Sequence, residues 1–291
     1  MKKLDNMKKI VSVLMLLSVL SLQAQTSRIM IGLGGGFTTS QSVGNFENIF
    51  GPMGTFNFGY SIMGNVGDGA QLGLRTGLGA TYSKFGDAMK LDERFTNVDY
   101  YGHRMDYTIT GSRVSFVQQQ INVELPVMFA IRAKGVNFNI GAKFMLPVMK
   151  RYTQSIENPQ ISVFYPEYGV TVTNDITTGL VPDAQKNMSG TVTMPTMFIG
   201  LSAELGYTWQ LRGSRNSLGF DVFFDYVPWG IGGGSADTGH SLVEVSPMVN
   251  DREQPMAEVK VNPLNCCNGY KHQFMTFGAK LVYTFDVEHN K

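Results

Sequence analysis

Two runs of apolar alternation, joined by the break Ala133-Lys134-Gly135, dominate the stretch 118–149 and narrow what the chain can become. In the first, Ile121, Val123, Leu125, Val127, Phe129 and Ile131 share one face, while Gln118, Gln120, Asn122, Glu124 and Arg132 share the other. In the second, Val136, Phe138, Ile140, Ala142, Phe144, Leu146 and Val148 oppose Asn137, Asn139 and Lys143. A period of two makes strands, not helices. Each arm has about the length that crosses a bilayer as a tilted strand, and its polar face keeps charges that a soluble sandwich core excludes. The stretch predicts a hairpin of a transmembrane β-barrel.

The same period recurs along the chain. Ile29, Ile31, Leu33 and Phe37 alternate with Met30, Gly32, Gly34 and Gly36; Phe56, Phe58, Tyr60 and Ile62 follow, then Leu72, Leu74, Leu78, Ala80 and Tyr82. Beyond the hairpin come Met197 to Leu211, Leu218 to Tyr226 and Phe277 to Phe285, each alternating. The glycines of GLGGGF open no helix, so they do not form a dinucleotide loop. These runs predict eight strands whose connections alternate: long at 38–54, 83–113, about 150–196 and 229–271, short at 64–69, 133–135 and 213–216. The fold class expected is all-β, an eight-stranded antiparallel up-and-down transmembrane β-barrel with short periplasmic turns and long extracellular loops. A soluble lipocalin-type barrel also has eight strands, but it does not explain the loop asymmetry or the N-terminus. Within 229–271, SLVEVSPMV and MAEVKVN flank Asn250 to Pro255 and predict a β-hairpin beyond the membrane.

The N-terminus predicts export. Lys2, Lys3, Lys8 and Lys9 precede the apolar run Ile10 to Leu22, which is too short for a transmembrane helix and ends at Gln23-Ala24-Gln25. The domain reading is therefore a signal peptide at 1–24 and an outer-membrane barrel at 25–291. Charged residues are 16% against about 25% in a soluble domain, as expected when every second residue faces lipid. A net charge of +1 leaves no basic footprint for nucleic acid. Cys266 and Cys267 are neighbours and make neither a disulfide framework nor a metal site, and no cofactor is expected.

Strand parity points Arg75, Glu124, Arg132, Lys143, Glu204, Asp221, Asp225 and Lys280 into the lumen, four bases and four acids. An eight-stranded lumen is filled by side chains, so these charges predict a paired network that plugs the barrel. Asp221 and Asp225 lie four apart on one strand, about 13 Å between Cα atoms, too far to share a proton as a catalytic pair. His103, His240, His272 and His289 are scattered and carry no catalytic motif. Tyr100, Tyr101, Tyr107, Tyr165 and Tyr168 cluster in expected external loops and are candidate contacts for a sugar or a protein partner. Tyr207 and Trp209 suit an interfacial girdle.

With Glu124-Leu125-Pro126-Val127 closing one strand, Ile140-Gly141-Ala142-Lys143-Phe144 opening the core of the next, and the lysine-led signal, the chain resembles the PorT-like outer-membrane barrels of Bacteroidota. The resemblance implies the barrel fold and no assigned activity. One departure is the tail Asp286 to Lys291 after Phe285, where many barrels end on an aromatic residue read by the insertion machinery. The functional expectation is a non-enzymatic barrel of the cell outer membrane with a plugged lumen. Its partners are outer-membrane lipid, the barrel-insertion machinery, and a surface ligand or membrane-complex partner met by the loops. The alternatives are a barrel enzyme acting on lipid or peptide, and a narrow porin.

Overall fold

The computed structural model describes residues 26–42, 46–66, 69–98, 101–173, 187–192, 194–231, 241–249, 255–264, 267 and 272–287. The expected signal peptide lies outside the described residues. The strands are β1 (Thr26–Ser42), β2 (Glu47–Ile49), β3 (Gly51–Asn65), β4 (Ala70–Val98), β5 (Arg104–Ala133), β6 (Val136–Glu157), β7 (Gln160–Tyr165), β8 (Val170–Thr173), β9 (Asn187–Thr191), β10 (Phe198–Gln210), β11 (Ser217–Ile231), β12 (Val243–Val249), β13 (Pro255–Val261) and β14 (His272–Val287).

Eight of them close an antiparallel ring in the order β1, β3, β4, β5, β6, β10, β11, β14. The seam is the pairing of β1 with β14, from Ser27 opposite Val287 to Ser42 opposite His272, so neither strand is left as an open edge. Three short turns lie at one end of the ring, together with the start of β1 and the finish of β14. One of them is the two-residue turn Lys134-Gly135, with φ of 48° and 89°, a conformation in which a glycine at the second position relieves the strain. At the opposite, long-loop end, β12 and β13 pair as the hairpin expected from their alternation.

The outward set is the apolar set. On β5, Val123, Leu125, Val127, Phe129 and Ile131 are exposed, and on β11 Leu218, Phe220, Val222 and Phe224 are too. From Ile121 to Ile131 the apolar face spans about the 9–11 residues that a tilted strand needs to cross hydrocarbon. Closed, even-stranded, antiparallel and apolar outside, this is the architecture of outer-membrane barrels.

The strands do not stop where that face stops. The segment 83–113, read from sequence as a loop, is strand almost throughout: β4 runs to Val98 and β5 starts at Arg104. Likewise β6 continues through residues 150–157, and β1 reaches Ser42, so two other expected loops are shorter than the spacing implied. Along β5 the inward residues change character at the same height. Glu124, Asn122, Gln120 and Gln118 are buried and polar; Phe116 and Val114, next on the same face, are buried and apolar.

That inversion follows from the surroundings. Where the outside is apolar, the inside takes the polar groups; where the outside is water, the inside becomes an ordinary hydrophobic core. The core of the projecting part gathers Phe85, Leu91, Ile109, Phe116, Met145, Phe198, Val227 and Phe274, with Leu242, Val261 and Leu264 from the arms and base of the β12–β13 hairpin. Ring pairs lock it, including Phe85 with Phe274 at 5.4 Å and Phe116 with Tyr152 at 5.2 Å between centroids. This core sits over the polar lumen.

Candidate functional site

Seven of the eight lumen charges inferred from parity are buried: Arg75, Glu124, Lys143, Glu204, Asp221, Asp225 and Lys280, each less than 8% exposed. A passage wide enough for water would leave them accessible, so these side chains fill the barrel at their level. Glu204 on β10 is the hub. One of its carboxylate oxygens accepts from Arg75 Nη1 at 2.7 Å and from Asn139 Nδ2 at 3.2 Å, and the other from Lys280 Nζ. Arg75 also lies 3.9 Å from Asp221. Nearer the long-loop end, Lys143 Nζ donates to Asp225 Oδ2 at 2.7 Å and stands 3.8 Å from Glu124.

Glycine makes part of this possible. Gly278 on β14 pairs with Phe223 on β11, and a Cβ there would come within 2.8 Å of the Phe223 ring and 2.4 Å of the Gly35 carbonyl oxygen. Its absence lets Phe223 lie across the inner wall. Lys143 Nζ is 5.6 Å and Lys280 Nζ 5.9 Å from the ring centroid, so the phenyl face separates two ammonium groups that would otherwise repel. Sequence reasoning gave Phe223 no role; its position midway between Asp221 and Asp225 on the same strand face was the available signal. It also missed Asp87, which is buried and accepts from Ser40 Oγ at 2.6 Å, because the segment around it had been read as a loop.

Arg132 stands apart from this network. It lies at the short-turn end of β5, half-buried, and makes no hydrogen bond or ion pair with the described residues. Asp221 and Asp225 do not form a pair with each other; their cations differ, Arg75 for one and Lys143 for the other.

The tyrosines divide. Tyr100 lies outside the described residues. Tyr107 is buried at 1% exposure and stacks on Phe95 at 5.2 Å and 12°, which corrects its reading as a loop contact. The cause is a register slip between Met89 and Leu91, after which the buried set on β5 changes from Val114, Phe116 and Gln118 to Met105, Tyr107 and Ile109. Tyr101, Tyr165 and Tyr168 do meet, around His103, at the tip formed by the β4–β5 and β7–β8 hairpins. Tyr168 Oη is 3.0 Å from His103 Nε2, their rings are 5.4 Å apart, and Tyr101 and Tyr165 flank them at 6.3 and 6.4 Å. Tyr101 and Tyr168 are 62% and 60% exposed. Below the tip, Thr96 and Arg104 both donate to Asp106, and these bonds, the threonine's foremost, hold its carboxyl below the usual range.

Comparison with known proteins finds likeness among solved structures. Searches against family models and against curated proteins returned no match. Among solved structures the chain is similar to Ail, the attachment invasion locus protein of Yersinia pestis, with 10% identity, a TM-score of 0.30, and coverage of 89% of this chain and 99% of that one. It is also similar to the translocator domain of autotransporter NalP from Neisseria meningitidis, with 9% identity, a TM-score of 0.21 and 96% of each chain covered. A Pseudomonas aeruginosa FadL homologue follows at 7% identity and a TM-score of 0.19, covering 89% of this chain and 90% of that one. All three are outer-membrane β-barrels.

Proposed function

We propose that the chain is a non-enzymatic outer-membrane barrel of the PorT-like kind, closed through its lumen, that holds its long-loop end outside the cell for a surface ligand or protein partner. The observation that carries this reading is the inversion of polarity along single strands. One continuous β5 serves a lipid-facing wall from Ile121 to Ile131 and then a water-facing wall with its own apolar core, so the projecting part is a folded platform built onto the barrel. Its tip offers the exposed rings of Tyr101 and Tyr168 beside His103, amphipathic surfaces of the kind enriched where proteins meet partners or sugars.

The same tip argues against a hydrolase. His103, Glu167 and Tyr168 converge, but Glu167 at 3.8 Å and Tyr168 at 3.0 Å both address Nε2. A relay needs the carboxylate on one ring nitrogen and the nucleophile on the other, and a phenol is a poor substitute for a serine hydroxyl. Orientation is tested by epitope insertion: a tag after Gly102 should be labelled on intact cells, and one at Gly213-Ser214 only after the outer membrane is opened. Labelling in the reverse sense would overturn the reading.

A further inference from the structure

Four bases and four acids balance in number along the lumen, but not in place. Lys143 is shared by Glu124 and Asp225, which leaves one negative charge over in the half nearer the long loops. Arg132 leaves one positive charge over at the short-turn mouth. The two do not neutralise each other, because Glu124 and Arg132 are eight residues apart on one strand, about 26 Å at strand rise. A guanidinium keeps its charge at any pH the protein meets, so the mouth cannot shed it by titration.

The mouth also contains a space. A cavity of about 40 Å³ is lined by Arg28, Ser61, Arg75, Arg132, Asn137 and Thr284, with Asp221 in its wall. Gln71 brings two of the arginines together: it is the cross-strand neighbour of Arg132, and its Oε1 accepts from Arg28 Nη2 at 3.1 Å. Arg28 is held from the other side by Asp286 at 2.7 Å, and Asp221 faces Arg75, so both carboxylates near the cavity already have a cation. Among the described residues Arg132 makes no ion pair of its own; Asp286 and Asp221 act on it only at longer range.

We propose that this mouth binds a single small oxyanion, a carboxylate or a phosphate group, with Arg132 as the principal donor and Arg28 beside it. The planar fork of arginine suits two oxygens of such a group, and the hydroxyls of Ser61 and Thr284 stand on the same wall. A volume of about 40 Å³ admits roughly three water-sized bodies, room for the two or three oxygens that one carboxylate or one phosphate group would turn inward and not for a large solute. The site is independent of the proposed role of the long-loop end, and of which compartment the mouth faces.

The test is calorimetric titration of the folded barrel, in a zwitterionic detergent, with inorganic phosphate and separately with acetate, chloride being used to match ionic strength. Saturable binding with one site is expected for at least one of the two, and the tighter one identifies the oxyanion class. R132Q should weaken it at least tenfold. R132K, which keeps the charge and loses the fork, should fall between. K134Q alters a neighbouring exposed lysine that does not line the cavity and should leave affinity within threefold of wild type. Retention of the folded, heat-modifiable form by each variant separates loss of binding from loss of structure. If neither anion gives saturable heat, or if K134Q weakens binding as much as R132Q, the site does not exist.

Discussion

Replacing Lys143 by methionine keeps most of the stem volume and removes the one ammonium that serves two buried carboxylates. Asp225 loses a partner at 2.7 Å and Glu124 one at 3.8 Å, and the two residues are only 4% and 2% exposed, so water does not take the place of the lost charge. Breaking a buried ion pair by deleting one partner costs about 3–5 kcal/mol, most of it from the charge left behind. K143M should therefore be destabilised by about that amount in urea titrations of the barrel folded into phospholipid vesicles, followed by electrophoretic mobility. The triple variant K143M/E124Q/D225N removes the stranded charges as well and should recover about half of the loss or more, since the three positions are coupled. A K143M cost within about 0.5 kcal/mol, the range of an ordinary surface change, would refute the reasoning. So would a triple variant no more stable than the single one.

The edge of the lipid-facing wall can be located with one side chain. Arginine at Leu125 should cost about 2–4 kcal/mol, whereas arginine at Thr153, exposed on the neighbouring β6 beyond the apolar face, should cost under about 0.5 kcal/mol; equal costs would place the wall elsewhere. In planar bilayers the wild-type barrel should show little or no steady conductance, and a variant with Glu124, Lys143, Phe223 and Asp225 all made small should leak; large stable steps from the wild type would promote the porin reading. Because the carboxyl of Asp106 titrates below its ordinary value of 3.8 when folded, its contribution to the tip is complete above that value and is lost as the pH falls through the folded-state value. Protease cleavage of the β4–β5 tip should therefore rise on acidification in that window, and D106N should flatten the dependence.

Alternation alone was enough to place Leu125 outward and Glu124 inward, because a strand offers only two faces and the chain assigns them consistently through the lipid-facing wall. It was not enough above that wall. Between Ile121 and Ile131 apolar means outward, but at Phe116 it means inward, and the register slip at Met89 to Leu91 reverses parity again before Tyr107. A pattern whose meaning changes twice within one strand looks like irregular loop. The lumen charges had a similar limit. Parity gives the face of a side chain but not which residue stands opposite at the same height, so it could not separate the seven charges that pair in two groups from Arg132 at the mouth.

The length of β4 and β5 changes what association at the tip would cost. A flexible loop that docks on a partner must first be ordered, at roughly 1–2 kcal/mol of backbone entropy per residue fixed. Here about 15 residues of β5, from Arg104 to Gln118, are already fixed by their ladder to β4 and by the rings packed behind them. That penalty falls on folding of the barrel and not on each encounter. Tyr101 and Tyr168 are thus carried on a stiff stalk about 50 Å in contour. A weak set of contacts at its end can suffice for recognition that a mobile loop of equal length would not sustain.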